Sequence, residues 1–161
     1  MQVTQLLTAD QCEWLITQFH THVEAHGYSH RAPNRAVNVD QLILALGQQH
    51  PTADALRVLR YCVDSHIRTL APQTFINYLE IVEWPTGSSQ STHLDYDYHS
   101  WTTVVYLNHT FTGGATLIDN SLVEPQQGQC VTFQGSKQQH SVLPVVTGTR
   151  YTLAVWYKSF V

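Results

Sequence analysis

Residues 149–157 read TRYTLAVWY, a strand-like run of β-branched and aromatic residues that carries one charge, Arg150. Four similar runs precede it, set between turn-forming Pro, Gly and Asn residues: FINYLEIVEW (75–84), WTTVVYL (101–107), GATLI (114–118) and QCVTF (129–133). Short strands at such intervals are typical of β-sandwiches and jelly rolls. The sequence therefore predicts a jelly-roll core over residues 73–161.

The residues before this core show helical patterns. Thr8 and Gln11 form a capping box in front of apolar residues at helical spacing, and a second amphipathic helix is predicted to begin at Thr52. Between the helices, residues 27–38 are polar and aperiodic, so we expect a loop there. We expect residues 1–72 to form a helical buttress packed on one sheet. The whole 161-residue chain would then be a single α+β, mainly β, domain.

Composition limits the classes of partner. The formal net charge is −4 and only 12% of the residues are charged, so no basic stripe is available for nucleic-acid phosphates. No segment approaches the ~20 apolar residues that a membrane helix needs, and there is no leader pattern. Cys12, Cys62 and Cys130 are too scattered to indicate a disulfide framework or a zinc ribbon. We expect no nucleic-acid partner, no membrane association and a cytoplasmic location.

A candidate metal site begins in residues 91–98, which read STHLDYDY. On an extended strand, His93 and Asp95 point to the same face because side chains alternate with a period of two. The pair His22 and Glu24 has the same spacing but falls in the first predicted helix, where side chains two positions apart diverge. Only the first pair can therefore share one ion.

A third ligand must come from a distant strand. His140 begins an apolar run that could pair antiparallel with the strand of His93. Two imidazoles and one carboxylate leave half of an octahedron open, which is the facial arrangement of non-haem iron(II) oxygenases. Taken alone, His140 is better interpreted as an ordinary surface histidine, and what reverses this preference is Arg150, ten positions later in the chain.

Arg150 needs an anionic partner because it lies in an otherwise apolar, strand-like run. An unpaired buried guanidinium costs several kcal/mol, whereas its planar fork matches a carboxylate. We favour a bound dicarboxylic acid as that partner. An internal salt bridge with Glu80, Glu83 or Asp119 is the alternative.

Together these motifs resemble the prolyl-hydroxylase-like branch of the iron(II) and 2-oxoglutarate-dependent dioxygenases, over about residues 78–157. The elements that carry the resemblance occur in the family order: His93-Leu94-Asp95, VYLN at 105–108, GGATL at 113–117, Pro125 with Gly128 and Phe133, and HSVLPVVTGTRYTLAVWY at 140–157. Several motifs in sequence are more specific than any one of them.

The resemblance implies a double-stranded β-helix whose mouth holds Fe(II), with 2-oxoglutarate and O2 as co-substrates. The metal ligands would be His93, Asp95 and His140. Arg150 would bind the distal carboxylate of 2-oxoglutarate, helped by the hydroxyl of Tyr106. Two tryptophans are candidates either to line the pocket or to fill the core: Trp84 and Trp156.

The activity implied is hydroxylation of an unactivated C–H bond, with a prolyl residue of a peptide or protein as the expected target. Relatives of that kind usually carry an arginine where this chain reads His99-Ser100-Trp101, so a free amino acid or other small metabolite stays open as the substrate. A non-redox, cupin-like binding module is the alternative from another class. Residues 27–38, with Arg31 and Arg35, are a candidate substrate lid or an ordinary solvated connection.

Overall fold

A computed structural model describes residues 1–26 and 33–160. Three helices lie in the amino-terminal part: α1 (Ala9–His26), α2 (Val39–Leu46) and α3 (Pro51–Leu70). The predicted capping box starts α1, because the Gln11 amide donates to Thr8 Oγ1 at 3.2 Å and the Thr8 amide donates to Gln11 Oε1 at 2.9 Å. None of the helices in the described ranges combines the length and apolar character needed to cross a bilayer.

The carboxy-terminal part is built of antiparallel strands. Including two short strands from the amino-terminal region, they are β1 (Gln2–Gln5), β2 (Arg35–Asn38), β3 (Thr74–Trp84), β4 (Gln90–His93), β5 (Trp101–Tyr106), β6 (Thr112–Gly113), β7 (Thr116–Ile118), β8 (Ser121–Val123), β9 (Gln129–Phe133), β10 (His140–Val142), β11 (Val145–Thr147) and β12 (Arg150–Ser159). They form a large sheet in the order β1-β9-β5-β12-β3-β2, a smaller sheet in the order β4-β10-β7-β8, and the pair β11-β6. The mainly β prediction is confirmed.

The two faces of the large sheet have different environments, as strand β12 illustrates. Leu153 and Val155 are buried in a core cluster that they share with apolar residues of all three helices. Their neighbours along the strand, Thr152 and Ala154, face a cavity on the other side. The helices therefore pack on one face of one sheet, as predicted, and the opposite face is left for a site.

The prediction of a loop over residues 27–38 is wrong for its last four residues. Residues Arg35–Asn38 form β2, which pairs antiparallel with the edge of β3 and buries Ala36 and Val37. A segment of four residues that begins with Arg and ends with Asn is too short to show a period. Only its pairing with β3 reveals the strand. Residues 27–32, the rest of the candidate lid, lie outside the described residues.

Candidate functional site

The three predicted metal ligands come together at the end of the smaller sheet. Strands β4 and β10 pair antiparallel, as predicted, and place His93 directly opposite His140. Asp95 Oδ1 lies 3.3 Å from His140 Nε2 and 3.7 Å from His93 Nε2. Contrary to the prediction, β4 ends at His93, so Asp95 lies just beyond the strand. Its amide donates to the carbonyl of Gly135, in the turn between β9 and β10, at 3.0 Å.

Backbone contacts fix the tautomers of the two histidines. His93 Nδ1 lies 2.8 Å from the carbonyl oxygen of Ser91, and His140 Nδ1 lies 2.9 Å from that of Gln138. A carbonyl can only accept, so in both rings Nδ1 carries the proton. In the neutral rings Nε2 then carries the lone pair, which is the form in which imidazole binds a metal. When His140 is protonated, its Nε2 instead donates to Asp95.

The Asp95 carboxylate is oriented by a second set of contacts. Thr102 Oγ1 donates a short 2.5 Å hydrogen bond to Asp95 Oδ2. Burial opposes ionisation of Asp95, but the hydrogen bonds from His140 and Thr102 outweigh it and keep the pKa of this carboxyl below its usual value. The same carboxylate raises the pKa of His140 in spite of the burial of that ring. Oδ1 of Asp95 is thus ionised and directed at the two Nε2 atoms.

The donor set fits a divalent transition metal. One ligand atom from each of the three side chains can be chosen such that all lie within 4.8 Å of one another. Two neutral imidazoles and one carboxylate suit Fe(II), and leave coordination positions for a chelating co-substrate and O2. The side chains are 28%, 9% and 10% exposed for His93, Asp95 and His140, so the site opens to solvent on the His93 side.

A second cluster surrounds Arg150, which is 1% exposed. Its Nη2 donates to Thr116 Oγ1 at 3.3 Å, whereas Nε and Nη1 have no hydrogen-bond partner among the described residues. Burial lowers the pKa of Arg150 to about 10, partly offset by Tyr106. The guanidinium is therefore still charged at neutral pH, although its hydrogen-bonding capacity is only partly used.

The predicted salt-bridge alternative for Arg150 is not found among the described residues. Glu83 pairs instead with Arg35, whose Nε lies 2.9 Å from Glu83 Oε1. Glu80 accepts from the hydroxyl of Tyr78, and Asp119 from Gln138. Within residues 1–26 and 33–160, Arg150 therefore has no carboxylate partner of the kind that its burial requires.

The strand ends around Arg150 are held by Asn108. Its Nδ2 donates to the carbonyl of Thr149 at 2.8 Å, and its Oδ1 accepts from the amide of Tyr151 at 2.9 Å. The asparagine of the YLN motif thus bonds to both neighbours of Arg150 and fixes the start of β12. Sequence reasoning noted this motif without assigning that role to its asparagine.

Two aromatic rings cover the guanidinium. Its central carbon lies 4.7 Å from the ring centre of Trp84 and 5.6 Å from that of Tyr106. The hydroxyl of Tyr106 donates to Thr116 Oγ1 at 2.7 Å, the same oxygen that accepts from Arg150. Tyr106 is thereby placed beside Arg150, as the resemblance implies.

One cavity of about 1040 Å³ joins the two clusters. Its lining includes the three candidate metal ligands, Arg150, and both predicted tryptophans, Trp84 and Trp156. Its mouth is flanked by the tyrosines Tyr96 and Tyr98, which stack with ring centres 5.2 Å apart and are 67% and 49% exposed. A single space therefore contains the candidate metal-binding triad, a buried cation and exposed aromatic rings.

Three contributors to the site were missed by sequence reasoning: Thr102, Thr116 and Gly135. The threonines lie in β-branched runs, where a hydroxyl that faces the cavity looks like any other strand residue. Gly135 is needed because a side chain there would overlap Asp95 Oδ2 and Thr102 Oγ1. Its position five residues before His140, in a polar turn, gives no local signal of that contact.

The chain is thus a jelly-roll protein with a His-Asp-His facial site and a buried arginine in one cavity. A family profile described as the 2OG-Fe(II) oxygenase superfamily matches residues 75–158, slightly more than half of the chain. The chain belongs to this superfamily. No curated protein sequence matches it.

Solved structures share its fold over almost the whole chain. A Pseudomonas putida prolyl-4-hydroxylase is 20% identical with a TM-score of 0.71, covering 98% of this chain and 91% of its own. A viral collagen prolyl hydroxylase from Paramecium Bursaria Chlorella virus-1, in complex with 2OG, is 14% identical with a TM-score of 0.71, covering 99% and 96%. A Trichoplax adhaerens prolyl hydroxylase, bound to a hypoxia inducible factor peptide fragment, is 18% identical with a TM-score of 0.74, covering 98% and 83%. The predicted double-stranded β-helix is confirmed.

Proposed function

We propose that this chain is an Fe(II)- and 2-oxoglutarate-dependent hydroxylase. One observation carries the proposal: a His-Asp-His triad and a buried arginine with two unpartnered nitrogens line the same cavity. The triad suits Fe(II), and the arginine suits the carboxylate of a dicarboxylic 2-oxoacid. Membership of the superfamily supports the same pair of ligands.

The residues have distinct roles in this proposal. His93, Asp95 and His140 would hold Fe(II), and Arg150 with Tyr106 would hold the distal carboxylate of 2-oxoglutarate. When bound, these groups would supply the oxidising chemistry that inserts one oxygen atom of O2 into a C–H bond while 2-oxoglutarate becomes succinate and CO2. The side chains of the protein would bind, orient and shield these groups, and none needs to act as a nucleophile.

The substrate we propose is a prolyl residue in a peptide or protein. The cavity is wide, and its mouth carries the exposed, stacked rings of Tyr96 and Tyr98. Aromatic surfaces of this kind dock extended, proline-containing segments. The likeness in fold to prolyl hydroxylases, one of them bound to a peptide fragment, agrees with this choice of substrate.

A small metabolite is the second candidate substrate, and residues 99–101 favour it. Relatives that hydroxylate prolyl residues usually carry an arginine there. In this chain His99 is buried and its Nε2 lies 3.0 Å from Asn77 Nδ2. Burial is the main cause that lowers the pKa of His99 below its usual value. The imidazole of His99 is thus neutral at neutral pH and lines the cavity. It does not offer a peptide backbone the positive charge that an arginine would.

The first test is anaerobic titration of the metal-free protein with Fe(II) and then 2-oxoglutarate. The expected result is a visible absorbance band from the iron–ketoacid complex, lost in His140→Ala and weakened in Arg150→Met. Succinate release is then measured with proline-containing peptides and with free amino acids, and the group that stimulates it identifies the substrate class. A fully metallated protein without the band would contradict the proposal and favour a non-redox, cupin-like binding module.

A further inference from the structure

The position of the Arg150 guanidinium is fixed from several sides. The ring of Trp84 covers one part of it, with 4.7 Å between the ring centre and the guanidinium carbon, and Tyr106 lies 5.6 Å away. Thr116 accepts from Nη2. Next to the guanidinium, a Cβ added to Gly114 would lie 3.0 Å from Arg150 Cδ. The cation cannot move far without displacing one of these neighbours.

Trp84 is itself held firmly. It lies directly opposite Arg150 in the antiparallel ladder between β3 and β12. Its indole Nε1 donates to Thr152 Oγ1 at 3.2 Å, two residues further along the strand that carries Arg150. The side chain is almost fully buried, at 9% exposure. The ring is therefore held in place, because its one polar atom is hydrogen-bonded and the Arg150 guanidinium packs on its face.

A 2-oxoacid bound in this cavity would be held at both ends. Its keto end would be bound by the metal on the triad, and its distal carboxylate by Arg150. The separation between the triad and the guanidinium then sets the length of acid that fits. Because Trp84 limits where the guanidinium can lie, it also limits that length.

We propose that Trp84 is a positioning residue that selects 2-oxoglutarate over longer dicarboxylic 2-oxoacids by fixing the guanidinium of Arg150. This inference rests on the proposed function, in which Arg150 binds the co-substrate. Replacing the indole with a smaller side chain removes the ring and lets the guanidinium tilt into the space vacated. The cavity then accepts 2-oxoadipate, which is one methylene longer.

The test measures binding, independently of turnover. Anaerobic calorimetry on the Fe(II)-loaded protein gives the Kd of 2-oxoglutarate and of 2-oxoadipate, and tryptophan emission is recorded in the same titrations. In Trp84→Leu we expect the Kd of 2-oxoglutarate to rise about tenfold, since a desolvated cation–π contact is lost. The Kd of 2-oxoadipate should stay constant or fall. The ratio of the 2-oxoadipate Kd to the 2-oxoglutarate Kd should therefore decrease about tenfold or more.

Matched variants separate the role of the ring from that of its size. Trp84→Phe keeps a ring in place and should retain most of the affinity for 2-oxoglutarate. If Trp84→Leu does not fold, Trp84→Phe is the variant in which the two Kd values are measured. Trp14→Phe, on α1 and packed on the helix side of the sheet, should leave both Kd values unchanged. The emission change on adding 2-oxoglutarate should persist in Trp14→Phe and become smaller in both Trp84 variants, where Trp156 is the tryptophan of the cavity lining that is left.

The outcomes distinguish this inference from the proposed function. If 2-oxoglutarate binding depends on Arg150 but Trp84→Leu leaves both Kd values as in the parent, the role of Trp84 is wrong and the proposed function stands. If the parent does not bind 2-oxoglutarate, or if Arg150→Met binds it equally well, the proposed function fails and the role of Trp84 fails with it.

Discussion

At the metal end of the cavity each ligand side chain already has a protein partner, whereas at the other end Arg150 keeps two nitrogens without one among the described residues. His93 and His140 are oriented by backbone carbonyls, and the Asp95 carboxylate is oriented by Thr102. The Asp95 amide also donates to the carbonyl of Gly135. Arg150 is more deeply buried than any of them and, among the described residues, donates from Nη2 to Thr116. The first end is pre-organised for the metal ion that we propose, and the second holds the buried charge that we propose a ligand carboxylate pairs with.

This difference between the two ends shows that a residue placed for ligand binding can lower the stability of the ligand-free protein. Without an ion, the polar contacts at the metal end support one another when His140 is protonated, because the Asp95 carboxylate attracts the imidazolium and raises the pKa of His140. The buried charge of Arg150 has no such compensation, and an uncompensated buried charge destabilises the folded state. Variants at the two ends should therefore change binding and stability in different combinations.

Removing a metal ligand should have the largest effect. His140→Ala deletes one of three donors, and we expect the Fe(II) affinity to fall by more than about a hundredfold, because loss of an outer-shell partner alone costs 10–100-fold. Anaerobic titration with Fe(II) measures it. His109→Ala, an exposed histidine outside the cavity, is the control. Equal Fe(II) affinities in the two variants would show that His140 is not a ligand.

Arg150→Met should separate binding from stability. We expect 2-oxoglutarate affinity to fall by about 2–5 kcal/mol, since a charged partner is removed from a buried site. The ligand-free protein should keep its free energy of unfolding or gain about 1–2 kcal/mol, because an apolar chain of similar length replaces an unpaired charge. Calorimetry measures the first quantity and urea unfolding the second. A clear loss of stability with 2-oxoglutarate binding intact would instead make Arg150 a structural residue.

Gly135→Ala should disturb the metal end without removing a ligand. The added methyl would overlap the Asp95 carboxylate and the Thr102 hydroxyl, so that the carboxylate must shift. We expect Fe(II) affinity to fall by about 10–100-fold, as for other outer-shell changes. Thr102→Val removes only the hydrogen bond and should have the milder effect of the two. Parent-like Fe(II) binding by Gly135→Ala would mean that the carboxylate has room to move.

The sequence was sufficient for the parts of the fold and site that carry strong local patterns. The capping box placed the start of α1, β-branched runs placed the long strands, and the His-x-Asp spacing with the distal His140 predicted the triad that the structure brings together. Arg150 stood out because a charge in an apolar strand needs an explanation.

The features of the fold and site that the sequence did not predict depend on contacts between distant segments, and such contacts leave no local sequence pattern. Strand β2 exists because the edge of β3 pairs with it. The need for glycine at position 135 arises from Asp95, forty residues earlier in the chain. The contact of Trp84 with Arg150 follows from the register between β3 and β12. Such features can be predicted only once the pairing of strands is known.

A second arginine on the same sheet, Arg35, should give the smallest change in stability when it is replaced, and it is the matched control for Arg150. Arg35 faces the helix side, where it bonds to Glu83 and Glu24 and is 42% exposed. The hydrogen bond to Glu83 is the main cause that raises the pKa of Arg35. We expect Arg35→Met to lower the free energy of unfolding by no more than about 1 kcal/mol, since half-exposed ion pairs contribute little.

Because Arg35 lies outside the cavity lining, binding of Fe(II) and 2-oxoglutarate should be unchanged in Arg35→Met. Urea unfolding and calorimetry, run beside Arg150→Met, check both expectations. Arg35→Met should then lower the free energy of unfolding slightly and leave the ligand affinities unchanged. Arg150→Met should lower the affinity for 2-oxoglutarate without lowering the free energy of unfolding. Loss of 2-oxoglutarate affinity in Arg35→Met would contradict this division between the two faces of the sheet. It would also revive a role for Arg35 in covering the substrate.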